Sequence, residues 1–331
     1  MKTQNFGIEI EMTGITRNKA ASVIAGYFRT EAVHVGGSYD TYTVRDQTGR
    51  QWKVVSDASI QREDRNGNSA SKLYAVEVVS PICRYEDIET IQEIVRALRR
   101  AGARVNPSCG IHVHVDASRH TAKTLKNLSN IVAAKEDLLY KALQVYVRRE
   151  RYCKKTDLRF LDDVNRKRPT TMSELEEIWY NGRSGRFRHY DDSRYHCLNL
   201  HSVFSKGTVE FRLFNSTLHA GQIKAYIQLC LAISHQALIQ KSAQRTRTES
   251  TNEKYTFRTW LLRLGLNGKE FKTARLHLLS HLEGNIAWKD PEQQERQKER
   301  LREKRAQERL EQRAEMEEDV PEEEPEVTMM M

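Results

Sequence analysis

The chain has 331 residues, 38% hydrophobic and 30% charged, enough to bury a sizeable core in one large domain or two small ones. Its net charge is +9, but from Lys289 onward 9 Lys and Arg stand against 15 Asp and Glu, so residues 1–288 keep 45 against 30, an excess of +15. A basic body suits an anionic partner, while apolar stretches this short and interrupted exclude a membrane span. Cys83, Cys109, Cys153, Cys197 and Cys230 form no CxxC and leave an odd one out, which argues for reduced thiols rather than a disulfide framework. With Met1-Lys2-Thr3 leading almost directly into the first strand, no room is left for a signal peptide, and the expected location is cytoplasmic.

Residues 5–13 read as a strand. Thr16 then caps a helix with Ala20, Val23, Ile24, Tyr27 and Phe28 on one face. Residues 41–45 and 51–55 form a hairpin turned near Gln47-Thr48-Gly49, 63–71 is a polar loop, and 73–79 is a strand ended by Pro81. A strongly amphipathic helix over 86–101, carrying Ile88, Ile91, Ile94, Val95 and Leu98, is closed by Gly102. A strand at 110–116 precedes a long helix from 121 to 147.

Residues 148–194 are charged, with apolar residues gathered at 160–164 and 175–179, and read as an excursion over the body. Residues 194–204 and 208–214, turned at Ser205-Lys206-Gly207, form a second hairpin. A helix over 220–240 and two shorter ones follow, ending near Trp288. From 291 to 318 the chain lacks aromatic residues and alternates sign, as in a solvated single helix, and a disordered acidic tail follows. Only Leu301 and Leu310 could serve a coiled-coil seam, which is too few.

Three stretches put ionisable side chains at alternate positions with apolar residues between: Glu9-Ile10-Glu11, His112-Val113-His114-Val115-Asp116 and Glu210-Phe211-Arg212. On a strand this pattern makes one greasy face and one charged face. An edge strand showing charges to water would look the same. Two carboxylates roughly 7 Å apart on one face can, however, each hold a separate hard cation. His112 and His114 add imidazole donors. The His-x-His pair also occurs in barrel-fold zinc hydrolases, but two hairpins point to antiparallel pairing rather than to a parallel barrel.

Val209, Phe211 and Leu213 demand burial behind Glu210 and Arg212, so both charges share the open side, where a Glu binds a cation and an Arg neutralises phosphate. Glu77, among Val76, Val78 and Val79, needs a cation or an Arg as partner. Asp57 reads as an Asx-turn or a substrate contact. Asn199 and His201 share a strand face. No P-loop or dinucleotide-binding glycine pattern appears.

Taken together, Phe6-Gly7-Ile8-Glu9-Ile10-Glu11, Asp57-Ala58-Ser59, Glu77-Val78-Val79-Ser80-Pro81, Gly110-Ile111-His112-Val113-His114-Val115-Asp116, Leu198-Asn199-Leu200 and Gly207-Thr208-Val209-Glu210-Phe211-Arg212 resemble the amidoligase family, within the superfamily of glutamine synthetase and glutamate–cysteine ligase. The resemblance covers residues 4–288. It implies an α+β fold, a glutamine synthetase-like curved antiparallel sheet with helices on its convex face, with a catalytic domain over 1–288 and a charged helix and tail over 289–331. It also implies an ATP-dependent carboxylate–amine ligase using Mg²⁺ or Mn²⁺. A substrate carboxylate attacks the γ-phosphate, and an amine from a small molecule, peptide or protein side chain captures the acyl phosphate as an amide or isopeptide.

By the same resemblance Glu9, Glu11, Glu77, His112 and Glu210 are metal ligands, and His114 approaches the ATP phosphates. Arg212 stabilises the transferring phosphoryl group, and Asp57 and Asn199 line the substrate side. Residues 148–194 are then a lid that shields the acyl phosphate from water. The competing readings are a non-catalytic assembly protein and a nucleic-acid-binding module using Arg148, Arg149, Arg151, Lys154 and Lys155, for which no recognised motif speaks.

Overall fold

The computed structural model describes residues 1–318; the expected acidic tail from residue 319 lies outside them. Met1–Glu249 with Phe257–Leu282 form one compact unit, and Ser250–Thr256 with the described part of Glu283–Met331 form another.

The larger unit is α+β and is built on one eight-stranded antiparallel sheet of order β2-β3-β4-β5-β1-β6-β8-β7. The strands are β1 (Phe6–Met12), β2 (Ala32–Gly36), β3 (Thr41–Arg45), β4 (Gln51–Val55), β5 (Val76–Val79), β6 (Gly110–Asp116), β7 (Leu198–Asn199) and β8 (Thr208–Asn215). The helices are α1 (Arg17–Phe28), α2 (Ile88–Arg100), α3 (Ala122–Leu143), α4 (Leu158–Lys167), α5 (Met172–Tyr180), α6 (His201–Lys206), α7 (Ala220–Ile239), α8 (Glu253–Arg263), α9 (Lys272–Leu279) and α10 (Pro291–Glu318).

Alternation decides the layering. Ile8, Ile10 and Met12 of β1, Val76 and Val78 of β5, Ile111, Val113 and Val115 of β6, and Val209 and Phe211 of β8 are all buried in one core. α1, α3 and α7 cover that face, and α2 bridges α1 and α7 with its Ile91–Ile94–Val95–Leu98 stripe. Local signals set the ends. Thr16 Oγ1 accepts from the Lys19 amide at the start of α1, Thr121 Oγ1 accepts from the Thr124 amide at the start of α3, and Gly102, at φ 100°, follows α2.

The hairpin at 41–45 and 51–55 and the strand at 110–116 lie where the sequence places them. Five features differ. The second expected hairpin does not form, because β7 spans only Leu198–Asn199 and residues 201–206 are helical. Leu200, Val203 and Phe204 recur at helical spacing, and Gly207 at φ 75° caps α6 by donating to Ser202 and Val203 carbonyls. His201 therefore sits on α6 rather than sharing a strand face with Asn199.

The expected strand at 73–79 begins as a 3₁₀ turn over Lys72–Tyr74, leaving β5 only Val76–Val79. Edge strand β2 was not anticipated, since Val33 and Val35 are exposed and give no burial pattern. On α1 the buried face is rotated. Tyr27 is 40% exposed, and Arg17 is buried instead, donating to Asp40 and to the carbonyls of Lys72 and Ala75. Finally, the charged stretch 148–194 is packed structure in its own right, with Phe160, Leu161 and Val164 of α4 and Leu175, Ile178 and Trp179 of α5 buried.

In the smaller unit, Lys254 N donates to Glu283 O at 3.0 Å and Asn252 Nδ2 to Trp288 O at 2.6 Å. α10 is a solvated helix with Lys298–Glu295 and Lys304–Glu308 pairs. Among the described residues, no helix is long and apolar enough to cross a membrane.

Candidate active site

β5, β1, β6 and β8 are adjacent in the sheet, and their register brings the charged positions together. Glu9 stands opposite His112, Glu11 opposite Glu77, and Glu210 between His114 and Asn199. Residues about 200 positions apart thus share one wall, on the face away from the core. The wall is shielded: Glu11, His112, His114, Asn199, Glu210 and Arg212 are all buried, Glu210 to 2%.

His112 Nδ1 is 3.0 Å from Glu9 Oε2 and 3.8 Å from Glu210 Oε1, while His112 Nε2 is 3.8 Å from Glu11 Oε1. His114 Nδ1 meets Thr208 Oγ1 at 3.1 Å. Its Nε2 lies 3.2 Å from Glu9 Oε1, an ion pair when the imidazole is protonated. Glu210 pairs with the Arg212 guanidinium and accepts from Asn199 Nδ2 at 2.7 Å. The Asn199 Oδ1 is buried and unpartnered. Glu11 Oε2 accepts from the Gly110 amide at 2.6 Å.

The electrostatics divide the carboxylates into two kinds. Burial works against ionisation everywhere, yet His114 and His112 hold Glu9 well below the usual range. Burial likewise opposes Arg212 and the two imidazoles at Glu210, which still falls to about 2. Glu11 is pushed up to about 8 by burial and then by Asp57, and Glu77 well above its ordinary value by burial and then by Glu9, Glu11 and Asp57. Burial and then Arg212 take His112 down to about 4. At His114 burial is outweighed by Glu9 and Glu210, which raise it. The wall therefore carries more carboxylate than its own cations can balance.

Among the described residues, three groups bring ligand atoms within 4.8 Å of one another: Glu11–Asp57–Glu77, Glu9–Glu77–His112 and Glu9–His114–Glu210. All the expected ligands are thus gathered. The structure adds Asp57, expected on the substrate side, and His114, expected at the phosphates, to groups able to hold a cation. Carboxylate oxygens with one imidazole suit a hard divalent ion.

Among the described residues, cavities border the wall on more than one side of Glu210 and His114. One of about 380 Å³ includes Phe6, Ile8, Glu9, Val79, Pro81, His114, Lys206 and Thr208. Another, of about 400 Å³, has Glu11, Asp57, His112, Arg149, Arg194 and Arg212 with Tyr39, Tyr152, Tyr190 and Tyr195. A third, of about 610 Å³, has Asn199 and Glu210 beside Arg186, His189, Arg194 and Lys206. Sequence reasoning missed Lys206, Arg194 and the tyrosines, none of which stands in an alternating strand pattern, and it gave no role to Thr208, although Thr208 alternates with Glu210 and Arg212 on β8. It also set Arg149 on a basic surface, whereas Arg149 is only 3% exposed and Lys155 is paired with Asp137.

Residues 2–234 match the model of a family described as "Putative amidoligase enzyme". None of the curated proteins matches the chain. The family match spans well over half of the chain and takes in every strand of the wall, so the protein belongs to the amidoligase family.

Proposed function

We propose that the protein is an ATP- and divalent-metal-dependent carboxylate–amine ligase, with catalysis in residues 1–288 on a glutamine synthetase-like curved sheet. The observation that carries this reading is the convergence of Glu9, Glu11, Glu77, His112, His114, Glu210 and Arg212 on one largely buried wall. The excess of carboxylate fits Mg²⁺ or Mn²⁺, as does the buried, unpartnered Asn199 Oδ1. Glu9, Glu11, Glu77, His112 and Glu210 are the proposed ligands, with His114 and Asp57 able to join them. When bound, the ions supply positive charge to phosphate oxygens.

The remaining work falls to the chain. The cavity beside Phe6, Val79 and Pro81 offers apolar walls for a nucleotide base, with His114, Lys206 and Thr208 toward its phosphates. The acid substrate's carboxylate oxygen attacks the γ-phosphorus and ADP leaves. Arg212, oriented by Glu210, neutralises the transferring group. The amine then attacks the acyl carbon, phosphate departs, and Asp57, which lines the separate cavity of about 400 Å³ on the substrate side, takes the amine's proton.

An acyl phosphate has to be kept from water. Residues 148–194 are the proposed lid, and the 3.2 Å contact of Tyr190 with Tyr39, both lining the cavity with Asp57, ties this segment to the connection between β2 and β3. Five buried, unpaired thiols support a reducing, cytoplasmic setting. The test is ADP release screened over acid–amine pairs. Turnover that needs Mg²⁺, acid and amine together is expected, and turnover unchanged in Glu210→Ala would refute the reading.

A further inference from the structure

Between β6 and β8 the register slips. Ile111 pairs with Phe214 and Val113 with Phe211, so His112 faces two residues of β8, Arg212 and Leu213. Such a bulge bends the strand and re-aims the side chains beside it. Arg149, from the 3₁₀ turn Val147–Arg149, lies across it. Its Nη1 donates to Phe214 O and its Nη2 to Arg212 O, the two carbonyls that flank Leu213. Room for the guanidinium comes from Gly110, where a Cβ would stand 2.2 Å from Nη2.

The chain just beyond Arg149 reaches Arg212 a second time. Tyr152 O accepts from Arg212 Nε at 3.4 Å, and the Tyr152 amide returns to Arg149 O at 2.8 Å. A lysine offers one compact ammonium in place of a planar fork and cannot span both carbonyls in this way.

We propose that Arg149 is a positioning residue: its guanidinium clamps the β8 bulge and so fixes where the Arg212 side chain aims. The idea rests on the reading of Arg212 as the group that meets the transferring phosphoryl, and it ties the 148–194 segment to that aim. Arg149 also lines the cavity of about 400 Å³, but its Nη1 and Nη2 are both spent on backbone carbonyls.

The test uses the full chain with Arg149→Lys, and with Gly110→Ala as a second variant that crowds the guanidinium while keeping it. MgADP with aluminium fluoride imitates the transferring phosphoryl group, whereas MgADP alone does not. Misaiming by an ångström should weaken the aluminium fluoride complex on the order of 100-fold while MgADP affinity shifts by less than about 3-fold. In the ligand-free variants, hydrogen exchange at residues 208–215 should quicken by about 10-fold or more relative to β1, reporting loss of the clamp without any nucleotide. Unchanged exchange and an unchanged ratio of the two affinities in either folded variant would overturn the proposal. A wild-type protein that binds no aluminium fluoride complex would instead count against the ligase reading, and the exchange result would still decide whether Arg149 holds the bulge.

Discussion

Glu11→Gln tests the charge crowding of the wall most directly. The unfolded chain gives up the Glu11 proton near pH 4.5, whereas the folded protein keeps it until about 8. Across that window the folded state binds more protons, so the stability this group contributes is full below 4.5 and lost as pH rises through 8. The window of about 3.5 units, at about 1.36 kcal/mol each, sets a penalty on the order of 4 kcal/mol near pH 8 in metal-free protein. Glutamine ionises in neither state, and its amide oxygen can still accept from the Gly110 amide.

In EDTA near pH 8 the variant should therefore melt higher than wild type, by on the order of 5–10 °C. The gap should close as pH falls toward 4.5. Millimolar Mg²⁺ should reverse the trend, because wild type gains by binding while the variant has lost a carboxylate ligand. Scanning calorimetry with and without Mg²⁺ measures both effects, with far-UV circular dichroism as the check on fold. A Glu11→Gln protein that melts at or below wild type in EDTA near pH 8, with an intact spectrum, would refute the crowding argument.

Other outcomes follow from the same geometry. Glu210→Ala strands the Arg212 guanidinium in the interior, so urea unfolding should show a loss of about 3–5 kcal/mol alongside the loss of ADP release, with Glu210→Gln falling between. EDTA should abolish ADP release and Mn²⁺ should restore it, with the paramagnetic resonance of Mn²⁺ reporting binding directly. All five cysteines are buried, and burial carries the Cys83 and Cys109 thiols up to about 11 and Cys197 to about 12, so a thiol reagent should label none in the native protein and all in denaturant.

The strands of the wall were legible because their pattern is local. Ile8-Glu9-Ile10-Glu11 or Val113-His114-Val115 alternates within a few residues, and burial of the apolar set forces the charged set to the other side. What escaped notice depends on distant partners. Residues 201–206 look strand-like until Gly207 is recognised as a helix cap rather than a turn, and β2 carries two exposed valines that no core demands. Arg149 sits in a run of basic residues that reads as surface, and nothing nearby says that Gly110, some forty positions earlier, leaves a slot for it. Cavity residues such as His189 and Arg194 belong to connecting segments, whose placement follows from packing rather than periodicity.

The position of β1 has a kinetic consequence. It lies mid-sheet between β5 and β6, yet the stretch that completes the wall, β8, comes about 200 residues later. Loops of that span are slow to close, and local helices such as α3 and α7 can form long before they do. Refolding should then recover its helical signal early and its affinity for divalent ions only with the last cooperative step. An ion captured by the chain becomes a reporter that the final strand has docked.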